Sequence, residues 1–306
     1  MITVAALQGA CLYLPVTHRR AAEVIRDAYV PGLGVLVLCL EDALRDADVT
    51  DGIARLEQLP SPRPGGPKVY VRVRSPEMLE TLADSDALHR WSGIVVPKCG
   101  LRSVERWMSL LNAIHMPFMP IIETMEVFDP VALRDLVDVL TSGAGANRLE
   151  CIRFGATDLA GLIGARKPGG CTWYETLIGP SLSMAAAYVM ARGTRVSAPV
   201  SETLVPDMTF VREVDLDVAN GFIGKSAAHP SQVAIINRAY AVSAEDLDAA
   251  QRILYGNCAV FAAGTTMCEQ RPHRAWADRV VARAERFGVR EGLASRIDGL
   301  IVGSAD

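Results

Sequence analysis

Short, uninterrupted apolar runs alternate along this chain with stretches whose apolar residues recur at helical spacing. The runs are ACLYLP (10–15), GVLVLCL (34–40), KVYVRV (68–73), GIVVP (93–97), FMPII (118–122), LECIRF (149–154), TRVSA (194–198) and GFIGK (221–225). Between and after them the spacing predicts helices near 18–29, 46–58, 76–87, 101–114, 129–141, 174–191, 206–219 and 230–240. The runs are too apolar for a sheet with one wet face, and the intervening helices are the crossovers that parallel strands need. Eight such units predict an α/β fold, a TIM (β/α)8 barrel, over residues 1–241. An open doubly wound sheet would call for a glycine-rich phosphate loop after its first strand, and no GxGxxG stands there.

Past residue 242 the rhythm changes. SAEDLDAAQRILYG predicts a helix with Ser243 as its N-cap and Asp246 in the third helical position. NCAVFAAGTTMCEQRP reads as irregular, and HRAWADRVVARAERFG as a basic amphipathic helix closed by Gly288. The expected organisation is therefore one barrel domain, 1–241, followed by a C-terminal helical extension, 242–306. The one linker-like segment, LPSPRPGGP (59–67), reads as a loop inside the barrel.

In such a barrel the chemistry sits where the strands end. The second strand ends in Glu41–Asp42, the third carries Arg72 and is followed by Arg74, and the fourth ends at Pro97–Lys98. The fifth, FMPII, runs straight into Glu123, and the sixth into FGATD, finishing with Asp158. Each has a bland explanation: Glu123 in a first helical turn, Asp158 as an N-cap, Arg72 in a rim ion pair, Lys98 as a solvated loop charge. Ionisable groups at most of the strand ends make a shared site the sharper reading. Glu123 and Asp158, on neighbouring strands, suit a hard divalent cation such as Mg2+, which takes one or two carboxylates and keeps waters or substrate oxygens. Arg72 offers a fixed fork to a carboxylate or enolate, and Glu41 and Asp42 would orient it or the metal-bound waters.

Composition narrows the partners. Among 306 residues the net charge is −4, so nothing suggests nucleic acid or an anionic membrane surface. No apolar run approaches the roughly 20 residues of a membrane span. The seven cysteines, odd in number and without a CxxC, fit a reducing compartment, and the expected localisation is cytoplasmic.

The ordered set LYLPVTHRR, VLVLCLEDAL with Ala54–Arg55, VYVRV, GIVVPK, PIIET, RFGATDL and GFIGKSAAHPSQVAIIN resembles the citrate lyase β-subunit-like branch of the HpcH/HpaI aldolase superfamily. HRAWADRVVARAERFGV is further similar to a group of carbon–carbon bond lyases found in tellurium-resistance gene clusters. The resemblance implies a Mg2+-dependent TIM barrel that cleaves or forms a carbon–carbon bond in an oxo or hydroxy acid, commonly with a coenzyme A thioester. It puts Glu123 and Asp158 at the metal, Arg72 on the substrate oxyanion, and Glu41 and Asp42 in the acidic pair behind it. It also implies a C-terminal segment that caps a neighbouring subunit and supplies an acid, for which Glu269 in MCEQRP is the nearest candidate, and hence a homo-oligomer, trimer or hexamer. Lys225 and His229 match its GK…HP motif and are read as structural.

The departures bear on substrate. Cys39 stands where the family has an aspartate, Arg74 where it has an asparagine, and SGAGAN lengthens the approach to the sixth strand. Arg74 and Lys98 are expected to join Arg72 in binding substrate, with Arg74 reading an extra anionic group. Arg19 and Arg20 are candidates for coenzyme A phosphates. These same departures motivate an alternative, a catalytically altered barrel kept as a binding or regulatory protein.

Overall fold

The computed structural model describes residues 6–26, 29–84 and 88–290. Positions 27–28 and 85–87 of two expected helices, and 291–306 of the C-terminal extension, lie outside the described residues. Two compact units divide the chain, Gln8–Ile236 and a second made of Met1–Leu7 with Asn237–Asp306.

The first unit is the expected barrel. Its strands are β1 (Gly9–Pro15), β2 (Val35–Cys39), β3 (Lys68–Arg72), β4 (Gly93–Val96), β5 (Phe118–Ile122), β6 (Ile152–Phe154), β7 (Val196–Ser197) and β8 (Gly224–Ala227). Interleaved are α1 (Ala21–Ile25), α2 (Val49–Gln58), α3 (Pro76–Ala83), α4 (Val104–Ile114), α5 (Pro130–Thr141), α6 (Ala156–Leu162), α7 (Gly179–Ala191) and α8 (Met208–Ala219), with α9 (Ser231–Tyr240) after β8. Every pairing is parallel, in the order β7–β6–β5–β4–β3–β2–β1–β8. The sheet closes on itself where the Ile223 amide donates to Val196 O at 2.9 Å and the Ala198 amide to Gly224 O at 2.8 Å. Strands β2 and β5 are buried at every position, as a sheet wrapped by helices requires.

Two strands differ from their sequence outlines for local reasons. Leu149 is paired with Phe118 but Arg153 with Ile121, so one extra residue lies on the β6 side. Pro120, between those partners, has no N–H to give the ladder, and the bulge shortens β6 to three residues. The run GFIGK begins with Gly221 at φ 80°, a conformation no strand takes, and β8 starts only at Gly224.

The lysine of the GK…HP motif is built into the interior. Lys225 points outward from β8 and is wholly buried, with Nζ 2.9 Å from Glu213 Oε1, 2.8 Å from Asp217 Oδ2 and 3.0 Å from Pro199 O. Glu213 and Asp217 lie one turn apart on α8, and Tyr174 donates its hydroxyl to Asp217. Past the motif, Gln232 accepts the amides of Ala228 and His229 through Oε1 and donates to Thr203 O.

In the second unit, α10 (Ala244–Tyr255) starts as expected, Ser243 Oγ accepting the Asp246 amide at 3.0 Å. The segment read as irregular is instead an antiparallel hairpin, β10 (Val260–Ala263) and β11 (Thr266–Glu269), turned by Gly264 at φ 56° and Thr265. Helix α11 (Gln270–Phe287) follows directly and ends at Gly288, φ 80°. Val242, Ala249, Ile253, Cys268, Ala277 and Val280 form its core. A short parallel pair, β9 (Val242–Ser243) with β12 (Val289–Arg290), completes it.

Candidate active site

The C-terminal ends of the barrel strands surround a cavity of about 260 Å³ whose charged lining residues are Asp42, Arg72, Glu123, Arg153 and Asp158. Glu123 follows β5 directly and is 5% exposed. Its Oε1 accepts the Lys98 amide at 2.7 Å. Lys98 presents that amide from a left-handed conformation (φ 46°), unusual for a residue with a side chain and here turned to local use. On the other side lies Gly155, where a Cβ would come within 2.0 Å of Glu123 Oε2. A strand packed on both faces thus delivers its carboxylate into a slot made by two neighbouring strand ends.

Asp158 sits in the first turn of α6, partly exposed, and Gly155 rather than Asp158 is the N-cap. The two carboxylates feel each other: burial first, then the charges of Asp158 and Glu41, push the Glu123 carboxyl up to about 8. A carboxylate held in its charged form there calls for a cation beside it. Oxygen-only donors at a partly open cavity suit magnesium better than a thiophilic metal.

Behind this pair runs a network of ion pairs built from β2, β3 and the turn after β4. Arg72, the last residue of β3, places Nη1 3.0 Å from Glu41 Oε2 and 3.5 Å from Asp42 Oδ2. Its Nε and Nη2 reach Cys39 Sγ at 3.3 and 3.1 Å, and the guanidinium lies 5.2 Å from the Tyr13 ring centroid. Lys98 Nζ bonds Glu41 Oε1 and lies 3.3 Å from Asp42 Oδ1. Burial raises the Glu41 carboxyl despite Arg72 and Lys98, whereas in the more exposed Asp42 burial is outweighed by those two cations and its carboxyl is lowered.

Arg74 is placed differently. It donates to the carbonyls of Leu40, Glu41 and Leu44 at 3.4, 3.1 and 2.6 Å and pairs with Asp46, stapling the loop after β2. It is not among the cavity-lining residues, and neither is Lys98, whose ammonium is engaged by Glu41 and Asp42. Glu269 belongs to the second unit, at the junction of β11 and α11, where its amide donates to His273 Nδ1 at 3.0 Å. Arg20 stacks on Tyr29, its guanidinium 4.2 Å from the ring centroid.

Sequence reasoning overlooked Tyr13, Arg153 and Ser226, which line the same cavity. Arg153 carried a signal: a formal charge inside the apolar run LECIRF, where both faces of the strand are buried. Tyr13 and Ser226 gave none, since both residue types are ordinary in strands.

Residues 2–289 match the family described as the C–C bond lyases of the TIM-barrel fold. A search of the curated proteins finds no match. Among solved structures, the protein CitE from Mycobacterium tuberculosis in complex with magnesium, acetoacetate and coenzyme A is similar, with 21% identity, a TM-score of 0.69, and coverage of 92% of this chain and 99% of that one. RipC from Yersinia pestis is 19% identical with a TM-score of 0.60, over 79% of this chain and 99% of its own. The citrate lyase β subunit from M. tuberculosis complexed with oxaloacetate and magnesium is 19% identical with a TM-score of 0.56, over 78% of this chain and 99% of its own. A match over nearly the whole length, on a barrel whose strand ends gather these acids and Arg72, makes the chain a member of the C–C bond lyase family of the TIM-barrel fold.

Proposed function

We propose that this lyase is Mg2+-dependent and cleaves or forms a carbon–carbon bond in a small oxo or hydroxy acid, with a coenzyme A thioester as the partner or product. The observation that carries the reading is the joint exposure of Glu123 and Asp158 to one cavity, with burial and the nearby acids raising the Glu123 carboxyl to about 8. In this reading Glu123 and Asp158 hold the ion. When bound, Mg2+ supplies Lewis-acid polarisation of the oxo acid.

The protein's own groups supply the rest. Arg72 stabilises the oxygen on which negative charge develops, as a preorganised donor fixed before the reaction begins. Glu41, Asp42 and Cys39 hold that guanidinium still, and Lys98 keeps the buried Glu41 charge-balanced. At about 260 Å³ the cavity has room for an acid of a few carbons, so the bulk of a coenzyme A would lie outside it. Arg19 and Arg20 remain the candidates for its phosphates. A base must take the α-proton of the acyl group in the condensing direction, and Glu269 from a neighbouring copy fills that role. A homo-oligomer, trimer or hexamer, in which the C-terminal segment caps its neighbour, provides the arrangement.

Turnover tests the reading. With Mg2+, an acyl-CoA and a panel of oxo acids, the wild-type chain is expected to show carbon–carbon cleavage or condensation by product analysis. Arg72→Ala is expected to lower kcat by roughly 10²–10³, the usual cost of losing one oxyanion donor. Glu123→Ala activity equal to wild type would contradict the assignment.

A further inference from the structure

Arg153 is a buried cation with no acid to balance it. Only 1% exposed, it donates Nη1 to Gln8 Oε1 at 3.0 Å and Nη2 to Ser226 Oγ at 2.8 Å. Met119 Sδ lies 3.7 Å from Nη1, the Tyr13 ring centroid lies 5.6 Å from the guanidinium, and the thiols of Cys11 and Cys151 are beside it. All of these partners are neutral. Burial raises the Cys11 thiol and the Tyr13 phenol and pushes Cys151 up to about 11, so none supplies an anion at neutral pH. Among the described residues no carboxylate lies within ion-pair distance of Arg153, and its Nε has no hydrogen-bond partner.

The contrast with Arg72 is informative. Arg72 meets two carboxylates and a thiol; Arg153, more deeply buried, meets amide, hydroxyl and sulfur. An unpaired buried charge is among the costliest features a fold can keep, and cores avoid it unless something pairs with it. Arg153 lines the cavity, and the register places it beneath the metal-site residues. It pairs with Ile121, two residues before Glu123 on β5, and Ser226 pairs with Cys11, two residues before Tyr13 on β1. Side chains two apart on a strand share a face, so this set forms the layer below the rim. The bulge between Leu149 and Arg153 sets the register that brings Arg153 inward.

We propose that Arg153, braced by Gln8 and Ser226, is a specificity-determining subsite for a second carboxylate, so that the acid bound in the cavity is dicarboxylic. This rests on the cavity being the substrate site. One carboxylate and the oxo group face Glu123, Asp158 and Arg72; the distal carboxylate reaches down to Arg153 and Ser226. Arg74, expected from the sequence to read an extra anion, is spent on the β2 loop, and Arg153 takes that role instead.

The test is calorimetric titration of the full chain, saturated with Mg2+, with pyruvate and with fresh oxaloacetate, which differ in one distal carboxylate. Wild type is expected to bind oxaloacetate roughly 10–100-fold more tightly, the range a charge-assisted contact supports. Arg153→Met should abolish that preference while leaving pyruvate and Mg2+ affinities within about threefold, a split that a purely structural arginine would not produce. Ser226→Ala, a milder change, should weaken oxaloacetate alone. Equal wild-type affinity for the two acids, or equal loss of both in Arg153→Met, overturns the subsite and leaves the lyase reading standing. Should Arg153→Met not fold, the wild-type comparison and Ser226→Ala decide. A wild-type chain that binds neither Mg2+ nor either acid overturns both.

Discussion

Glu123 ends a fully apolar strand because two neighbouring strand ends leave a slot shaped for it. The Lys98 amide fixes one oxygen and the missing side chain of Gly155 makes room for the other. Gly155→Ala therefore has a definite expected outcome. The new methyl would collide with the carboxylate, cost about 1–3 kcal/mol by overpacking, and weaken Mg2+ binding by roughly tenfold or more through the displaced carboxylate. Denaturant unfolding and Mg2+ titration of the same variant check this; unchanged Mg2+ affinity would mean that the slot does not position the carboxylate. At this scale the sequence was informative where charge interrupted hydrophobicity, as at Glu41, Arg72 and Glu123. It was silent on direction: Arg74 and Arg72 look alike in VYVRVR, and only the fold shows one on the cavity and the other on the carbonyls of Leu40, Glu41 and Leu44.

Between β8 and α8, Lys225 sits with Glu213 and Asp217 in a buried network that Lys167 joins, its Nζ 3.7 Å from Glu213 Oε2. Removing that cation, as in Lys225→Met, is expected to cost about 3–5 kcal/mol, because Asp217 is left buried without a cation and Glu213 keeps only Lys167. The penalty has a pH signature. Burial, only partly offset by Lys225, lifts the Asp217 carboxyl to about 6, above its ordinary value of 3.8. The folded chain thus holds that proton more tightly than the unfolded chain, and this group's contribution to stability grows as pH falls from about 6 towards 4. Without Lys225 the carboxyl rises further, so the deficit of the variant should shrink as the medium is acidified. Urea unfolding of both proteins at pH 8 and pH 5 measures it; a constant deficit would contradict the account. Elements with long, uniform apolar runs were readable, β5 to the residue. The misses had physical causes. Pro120 displaced the β6 register, and the β10–β11 hairpin, half exposed on both strands, lacked the alternation that marks a strand against a core. Its two-residue turn at Gly264–Thr265 was the overlooked signal.

For the molecule as a whole, the eightfold alternation made the barrel legible, since few folds accommodate so many buried parallel strands. Among the described residues no helix is long and apolar enough to cross a membrane, and all seven cysteines are free. What the alternation could not convey is whether copies assemble. If Glu269 serves a neighbour's cavity, mixing inactive Glu269→Gln with inactive Glu123→Ala and reassembling them should restore activity. About a quarter of sites would combine an intact barrel with an intact capping segment. No recovery after verified subunit exchange would show that the acid acts within its own chain or not at all.

The central claim, that Glu123 and Asp158 together hold a divalent ion, is tested most directly by Mg2+ titration calorimetry on the wild type, Glu123→Gln and Asp158→Asn, with thermal unfolding in parallel. The account predicts one site in the wild type, a stabilisation of about 2.7 kcal/mol when Mg2+ reaches a hundred times its Kd, and loss of both in each variant. Either variant binding Mg2+ as tightly as the wild type would contradict it.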